Sequence, residues 1–296
     1  MAAANPQTYE PDVAMMLYNL AILYKDTQRY AESEALYKEA LEIRRRLATD
    51  NPKENEENLA WTLHNLALLY GDTQRYAESE ALYKESLEIR RRLAAANPQA
   101  YEPDLSQTLH NLAGIFLDTQ RYNESETIYK EALEIRRRLA TDNPKANEEN
   151  LAWTLNNLAS LYENTQRYAE SETMYKESLE IRRRLAAANP QTYEIDVANI
   201  YGSLSFIYIF MKDYSKAEQS ARDGISLAPS EHWIATNLAV ALLFQDRYEE
   251  AEKIYRQYKE ELKDSFLKDF SRFAEAGVIP KEREADVERI KRMLEE

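Results

Sequence analysis

The side chains best suited to metal binding or catalysis in this sequence are two histidines at matching positions of a repeated segment. His64 and His110 lie 46 residues apart, and two imidazoles could begin a zinc site. The chain contains no cysteine, and no obvious third ligand accompanies the histidines. We therefore expect the two histidines to be polar residues that line a groove, and we predict neither a metal site nor a cofactor.

Sequence motifs of catalysis are absent. The chain has no glycine-rich phosphate loop, no G-x-S-x-G nucleophile turn and no H-E-x-x-H zinc motif. Carboxylates are abundant, but they belong to charge-rich stretches that are typical of solvated helix faces. The sequence therefore predicts a protein that is not an enzyme.

Four arginine triplets, at residues 44–46, 90–92, 136–138 and 182–184, could form a basic ridge for phosphate or an acidic partner. Each triplet stands near the end of a helical pattern, where the helix dipole favours cations. Glu42 precedes Arg46 by four residues, and Glu34 precedes Lys38 likewise, a spacing that favours ion pairs on a helix. We therefore favour a structural role for the triplets.

The charge balance narrows the class of partner. A formal net charge of -14 and a pI near 4.9 disfavour nucleic acid and anionic membrane surfaces, both of which attract basic proteins. The first residues lack the basic and apolar regions of a signal peptide. No uncharged apolar run approaches the roughly 20 residues that span a bilayer. We expect a cytoplasmic protein.

An internal repeat organises the elements that carry these residues. The string Asp-Thr-Gln-Arg-Tyr starts at Asp26, Asp72 and Asp118, and it returns with one change after a further 46 residues. The apolar spacing predicts two helices per unit, the first over about 12–25 and the second from Tyr30 onward. Asn51 and Pro52 should end the second helix.

Each unit carries a pattern of small, large and aromatic residues that resembles the tetratricopeptide repeat. Small residues allow two helices to approach closely, and aromatic rings fill the space beside them. The units are 46 residues long instead of about 34, and we place the excess in the end of the second helix and the following linker. Lengthened units of this kind are most similar to those of kinesin light chains and many bacterial arrays. In the second unit the pattern consists of Leu66, Ala67, Tyr70, Tyr76, Ser79, Tyr83, Ser86 and Leu87.

The resemblance implies an all-α fold, an α-solenoid of helix-turn-helix units that forms a right-handed superhelix with a C-terminal helical cap. We place the array in residues 1–260 and the capping helices in 263–296. The N-terminal end has little to cover it, which makes self-association through that end a possibility. The units are predicted at about 11–52, 57–98, 103–144, 149–190, 195–229 and 232–262.

Differences between the repeats concentrate on one stripe of the first helices. Residues 51–96 and 143–188 differ at only seven positions, and four of these lie on the first helix. In tetratricopeptide folds this stripe lines the groove that holds peptides, although relaxed constraint on an exposed face would also produce the differences. The candidate binding residues are Met15, Tyr18, Ile22, Lys25, Trp61, His64, Leu68, Asp72, Gln107, His110, Leu117, Trp153, Asn156, Ser160, Glu163 and Trp233.

A ladder of asparagines adds to the candidate binding residues. The resemblance implies that such amides can hydrogen-bond the backbone of an extended peptide, because an amide both donates and accepts. The alternative is that asparagine is simply the usual residue at this position. The ladder consists of Asn19, Asn65, Asn111, Asn157 and Asn237.

The sequence favours a non-catalytic scaffold that binds a protein or an extended peptide. Chaperone-binding members of the family hold a C-terminal carboxylate with lysine and arginine side chains. This sequence lacks those basic residues, since Met15, Trp61 and Trp153 are among the residues at their positions. Two alternatives stay open. The chain could be an architectural or self-associating array, even an engineered one, or the docking arm of a larger multidomain protein.

Overall fold

The computed structural model describes residues 6–296, and these residues form helices and short connections without a β-strand. This confirms the all-α class. None of the helices in the described part of the chain combines the length and the apolar character needed to cross a membrane. The helices are α1 (Pro6–Asp26), α2 (Tyr30–Asp50), α3 (Pro52–Asp72), α4 (Tyr76–Ala96), α5 (Pro98–Asp118), α6 (Tyr122–Asp142), α7 (Pro144–Asn164), α8 (Tyr168–Ala188), α9 (Pro190–Phe210), α10 (Tyr214–Leu227), α11 (Ile234–Phe244), α12 (Tyr248–Gln257), α13 (Lys259–Glu275) and α14 (Glu284–Glu295), with a 3₁₀ turn at Lys281–Arg283.

The additional residues of the long units lie inside the helices. Helices α1 to α9 each contain 21 residues. The expectation of a linker was wrong, because only Asn51 separates α2 from α3. Pro52 does end α2, but it also occupies the first turn of α3, where the missing N–H group is not needed. The first helix of each long unit therefore begins several residues before its predicted start.

The turn inside each unit has a left-handed residue. Gln28, Gln74, Gln120 and Gln166 have φ angles near 60°, a region that costs energy for any residue with a Cβ. After α3, the Gln74 N–H donates to the Gly71 carbonyl at 2.9 Å and the Arg75 N–H donates to the Tyr70 carbonyl at 2.7 Å. These bonds satisfy carbonyl groups at the helix end and reverse the chain into α4.

Small residues bring the two helices of a unit together. Ala21 and Ser33 are fully buried where α1 meets α2, and the Ser33 hydroxyl donates to the Ala21 carbonyl at 2.7 Å. The same bond joins Ser79 to Ala67 at 2.7 Å. The hydroxyl thus satisfies its own hydrogen-bonding need at the point of closest approach. This arrangement confirms the predicted role of the small residues.

The chain divides into two compact units between Pro144 and Lys145. The first contains α1 to α6 and the second contains α7 to α14. In the second unit, α13 contributes three buried phenylalanines, and the ring of Phe273 lies 5.1 Å from that of Phe210 and 5.9 Å from that of Phe206. Helix α13 therefore packs against the first helix of the fifth repeat, while α14 packs against α12.

Replacing the left-handed glutamine should stabilise the fold. We expect Gln74→Gly to raise the free energy of unfolding by about 0.5–1 kcal/mol, because glycine removes the Cβ strain but gains some entropy when unfolded. Urea denaturation followed by circular dichroism measures the change. Gln74→Ala keeps the Cβ and should give little or no gain. A glycine variant less stable than the wild type would contradict this account.

Candidate functional site

The predicted binding residues lie on one side of the first helices, which we call the first-helix face in each compact unit. Their exposure divides them into three groups. Exposed side chains are Met15, Asn19, Asp72, Trp153 and Trp233. Half-buried ones are Tyr18, Ile22, Lys25, Trp61, Asn65, Leu68, Gln107, Asn111, Leu117, Asn156, Asn157, Ser160 and Glu163. Buried ones are His64, His110 and Asn237.

The first arginine of each triplet has a role that the sequence analysis did not predict. Arg44, Arg90 and Arg136 are buried in the first compact unit beneath the first-helix face. Nη1 of Arg90 donates to the Asp104 carbonyl and to the Thr108 hydroxyl, both at 2.6 Å. These bonds join the second helix of one repeat to the first helix of the next. The helix dipole is therefore an incomplete explanation for the triplets.

In the first triplet, the second arginine forms an ion pair with the next repeat, and the third forms one with the first helix of its own repeat. Arg45 pairs with Glu85 at 2.6 Å, and Arg46 pairs with Glu10 at 3.0 Å. The expected partner of Arg46, Glu42, is exposed, and Arg46 pairs with Glu10 instead. The other predicted pair, Lys38 with Glu34, is present at 2.7 Å.

Aromatic rings of the first-helix face rest on the buried arginines. The guanidinium carbon of Arg90 lies 4.4 Å from the ring centre of Trp61, and that of Arg44 lies 4.5 Å from Tyr18. Burial lowers the pKa of Arg90 to about 10, so the group stays charged near neutral pH. The cation holds the aromatic side chain in place and puts positive charge under the face.

The two histidines belong to the floor of the first-helix face. His64 contacts the Thr108 hydroxyl through Nδ1 at 3.2 Å and the Asn111 amide through Nε2 at 3.3 Å. Burial lowers the pKa of His64 to about 3 and moves that of His110 in the same direction. Both imidazoles are therefore neutral at physiological pH. Sequence reasoning expected them to line a groove, and the structure buries both beneath the face. Residues 6–296 contain no cluster of three potential metal ligands.

The asparagine ladder connects neighbouring first helices. Asn65 donates through Nδ2 to the Tyr18 hydroxyl at 2.7 Å and to the Trp61 carbonyl at 3.0 Å. In the sixth repeat, Asn237 donates to the Gly202 carbonyl at 2.9 Å. These amide groups are engaged within the protein, so a ligand would have to compete for them.

The second compact unit has two cavities on its first-helix face. One, of about 250 Å³, combines Trp153 and Asn156 with the ion pair between Arg182 and Asp196, whose atoms are 2.9 Å apart. The other, of about 190 Å³, is formed by four helices: α7, α9, α11 and α13. It is lined by Glu163, Ser203, Phe206, Trp233, Thr236, Asn237, Ser265, Asp269 and Arg272.

The sequence analysis missed Ser203, Asp269 and Arg272. Ser203 stands where earlier repeats have the ladder asparagine, so the 46-residue spacing could have identified it. Asp269 and Arg272 lie on α13, outside the repeats, where no spacing relates them to the other lining residues. The available signal was the charged residues interrupting the phenylalanine-rich face of that helix.

A larger cavity, of about 490 Å³, lies in the first compact unit between α4, α5 and α6. Its wall is formed by Leu87, Leu112, Phe116 and Ile128, with charged residues at the rim. The sequence analysis did not predict this cavity, because its walls combine two second helices with Leu112 and Phe116 of α5, which lie outside the candidate stripe. It is therefore distinct from the predicted binding surface.

Family comparison agrees with this arrangement of paired helices. A tetratricopeptide repeat model matches residues 12–92, 104–184 and 150–230, and a second tetratricopeptide repeat model matches residues 233–257. The chain belongs to the tetratricopeptide repeat family. No curated protein matches the sequence.

Solved structures with this fold are similar in shape but distant in sequence. BtubC from P. vanneervenii is 22% identical, with a TM-score of 0.60 over 78% of this chain and 90% of that chain. Apo RapI is 14% identical, with a TM-score of 0.65 over 95% and 96% of the two chains. A putative kinesin light chain from Podospora anserina is 13% identical, with a TM-score of 0.57 over 73% and 96%. These similarities establish the tetratricopeptide fold alone.

The buried carboxylate of Asp269 should make stability depend on pH. Burial raises the pKa of Asp269 to about 6, so the carboxyl favours the folded state when protonated and loses that contribution as the pH rises through 6. As the pH rises from 4 to 7, the free energy of unfolding of Asp269→Asn should increase by roughly 2 kcal/mol relative to that of the wild type. Glu275→Gln, an exposed change on the same helix, should show no such trend in thermal denaturation. A constant difference for Asp269→Asn would contradict the prediction.

Proposed function

We propose that this protein is a non-catalytic scaffold that binds an extended peptide or protein segment along the first-helix face. Repeats of this family commonly serve as protein-interaction scaffolds, which supports the general class. One observation supports the specific proposal. The residues that differ between repeats include exposed and half-buried polar and aromatic side chains of this face. The packing residues beneath them stay the same. Recognition would therefore vary from repeat to repeat on a constant framework.

The two tryptophans are the best candidates for anchoring a bound segment. Trp153 is exposed, and Trp61 is half-buried over the guanidinium of Arg90. A rigid ring that is already held in place loses little entropy on binding, and tryptophan is enriched among interface residues that dominate affinity. The acidic composition makes an extended segment of a protein a better candidate than nucleic acid.

Tryptophan replacement tests the proposal. Peptides selected from a displayed random library on the wild type should bind Trp61→Ala/Trp153→Ala at least about tenfold more weakly, because each lost anchor costs on the order of 1–2 kcal/mol. Fluorescence anisotropy measures the affinity, and circular dichroism verifies folding. The control, Glu42→Ala/Glu134→Ala, changes exposed residues of second helices and should bind normally. Equal affinity of the tryptophan variant would refute the proposal.

Self-association is a second candidate function, and α1 supplies the observation that favours it. Met16 is 61% exposed and Leu23 is 55% exposed, whereas the matching residues of later repeats are buried. Repeats two to four have threonine in place of Met16, and Thr62 and Thr108 accept hydrogen bonds from Arg44 and Arg90. The methionine sulfur is a poorer hydrogen-bond acceptor than a threonine hydroxyl, so α1 is less suited to contact a repeat that presents a buried arginine. The surface that covers α1 should therefore be apolar.

Sedimentation velocity over a wide concentration range tests this second candidate. A self-associating chain should shift to a larger species as concentration rises, and Met16→Glu/Leu23→Glu should abolish the shift, since burying two carboxylates in the contact is costly. The peptide-binding affinity should be unaffected. A monomer at every concentration would exclude self-association.

A further inference from the structure

The cavity of about 190 Å³ in the second compact unit has the size of a side-chain pocket. Its volume corresponds to roughly six water molecules at liquid density, which is enough for one long side chain and too small for a helix. Glu163 comes from α7, Ser203 from α9, Trp233 precedes α11, and Asp269 comes from α13. The pocket therefore combines first helices of three repeats with α13.

Asp269 is a buried carboxylate of this pocket with no close ion pair. Its side chain is only 9% exposed, between the buried rings of Phe266 and Phe270 along the helix. In the described part of the chain no ion pair reaches its carboxylate, and the interactions that favour its charge are the nearby Thr236 hydroxyl and the more distant cations of Arg272 and Lys268. The neighbouring Thr236 hydroxyl has a single proton, which it directs to the Trp233 carbonyl at 2.7 Å. The cost of burying this carboxylate exceeds what these neighbours return, since its pKa is raised, and a cation entering the pocket would reduce that cost.

Glu163 supplies a second carboxylate to the same pocket. It accepts one hydrogen bond from the Tyr175 hydroxyl at 3.2 Å, and burial raises its pKa. Arg272 is the basic residue of the lining, and its guanidinium lies on the ring of Phe206 at 4.5 Å from the ring centre, exposed at the rim. With both acids ionised, the lining therefore carries one net negative charge.

Trp233 provides an aromatic wall. Its side chain is 37% exposed, and a Cβ at Gly202 would come within 2.3 Å of the ring. Glycine at position 202 thus allows the indole to lie directly against α9. An aromatic face beside carboxylates attracts cations, which gain from the ring quadrupole as well as from the charges.

We propose that this pocket binds the cationic side chain, lysine or arginine, of the segment held on the first-helix face. An anionic side chain would be repelled by the two carboxylates, and an apolar one would leave the burial cost of Asp269 uncompensated. The inference rests on the proposed scaffold function and specifies one residue of its ligand. A protruding ammonium or guanidinium group would bond Asp269 and Glu163 while its alkyl stem contacts Trp233.

The other repeats lack the acidic residue that Glu163 supplies to this pocket. The positions that match Glu163 are Lys25, Gly71 and Leu117, and none of them is acidic. The first compact unit instead has buried arginines beneath its face. A basic side chain should therefore be preferred in the second compact unit and not in the first.

A small-molecule titration tests the pocket without a peptide. The probe is n-butylguanidinium, and n-butylurea is its neutral control of the same shape. We expect the cation to shift the indole N–H resonance of Trp233 saturably in NMR spectra, and the urea to leave it unchanged. Asp269→Asn should weaken the effect about tenfold, as expected for the loss of one charge-assisted bond. Glu275→Gln should bind like the wild type. Equal effects of the cation and the urea would overturn the proposal.

The pH dependence of the same titration provides an independent test. Burial places the pKa of Asp269 at about 6 and raises that of Glu163. Binding of n-butylguanidinium should weaken as the pH falls below 6, because protonated carboxyls no longer attract a cation. Affinity that is constant from pH 7.5 to pH 5 would contradict binding at these carboxylates.

Library selection separates this inference from the proposed function. The wild type should select peptides with lysine or arginine enriched at one fixed position, and Asp269→Asn should select peptides without that enrichment. Peptides that bind but show no basic position would overturn the pocket while the scaffold stands. A failure to select any peptide would count against the scaffold function, and the butylguanidinium titration would still decide the chemistry of the pocket.

Discussion

Arg90 carries a positive charge into the space between two repeats, and much of the first compact unit is arranged around that group and its counterparts. The guanidinium must find acceptors, because a buried charge without them would be prohibitively costly. It obtains them from Asp104 and Thr108 of the following helix. One residue thus fixes the register of successive repeats, supports Trp61 and explains why threonine recurs on the first helices.

The surface and the interior of the repeats are therefore coupled. His64 and Asn111 form a polar layer between the arginines and the surface, and burial keeps the imidazole neutral. Rings of the first-helix face have their positions set before any ligand arrives, which lowers the entropy lost on binding. The second compact unit departs from this scheme, since Arg182 pairs with Asp196 and α13 supplies an acidic residue near the face.

Local patterns predicted more of the fold than of the site. The apolar spacing and small residues such as Ala21 and Ser33 correctly indicated paired helices, because these features act between neighbouring segments. The linker was wrongly placed, since proline at position 52 both ends one helix and begins the next. The candidate stripe could be located from differences between repeats, but burial of His64 and His110 could not, because it depends on contacts with other repeats.

The sequence by itself determined the number and pairing of the helices, the family and the location of the variable stripe, since each depends on short-range periodicity repeated along the chain. Only the tertiary structure decided which arginine of a triplet is buried and what Asp269 faces. Asp269 and Glu163 are separated by more than a hundred residues. Their meeting in one pocket results from the packing of Phe273 against α9, which no local spacing encodes.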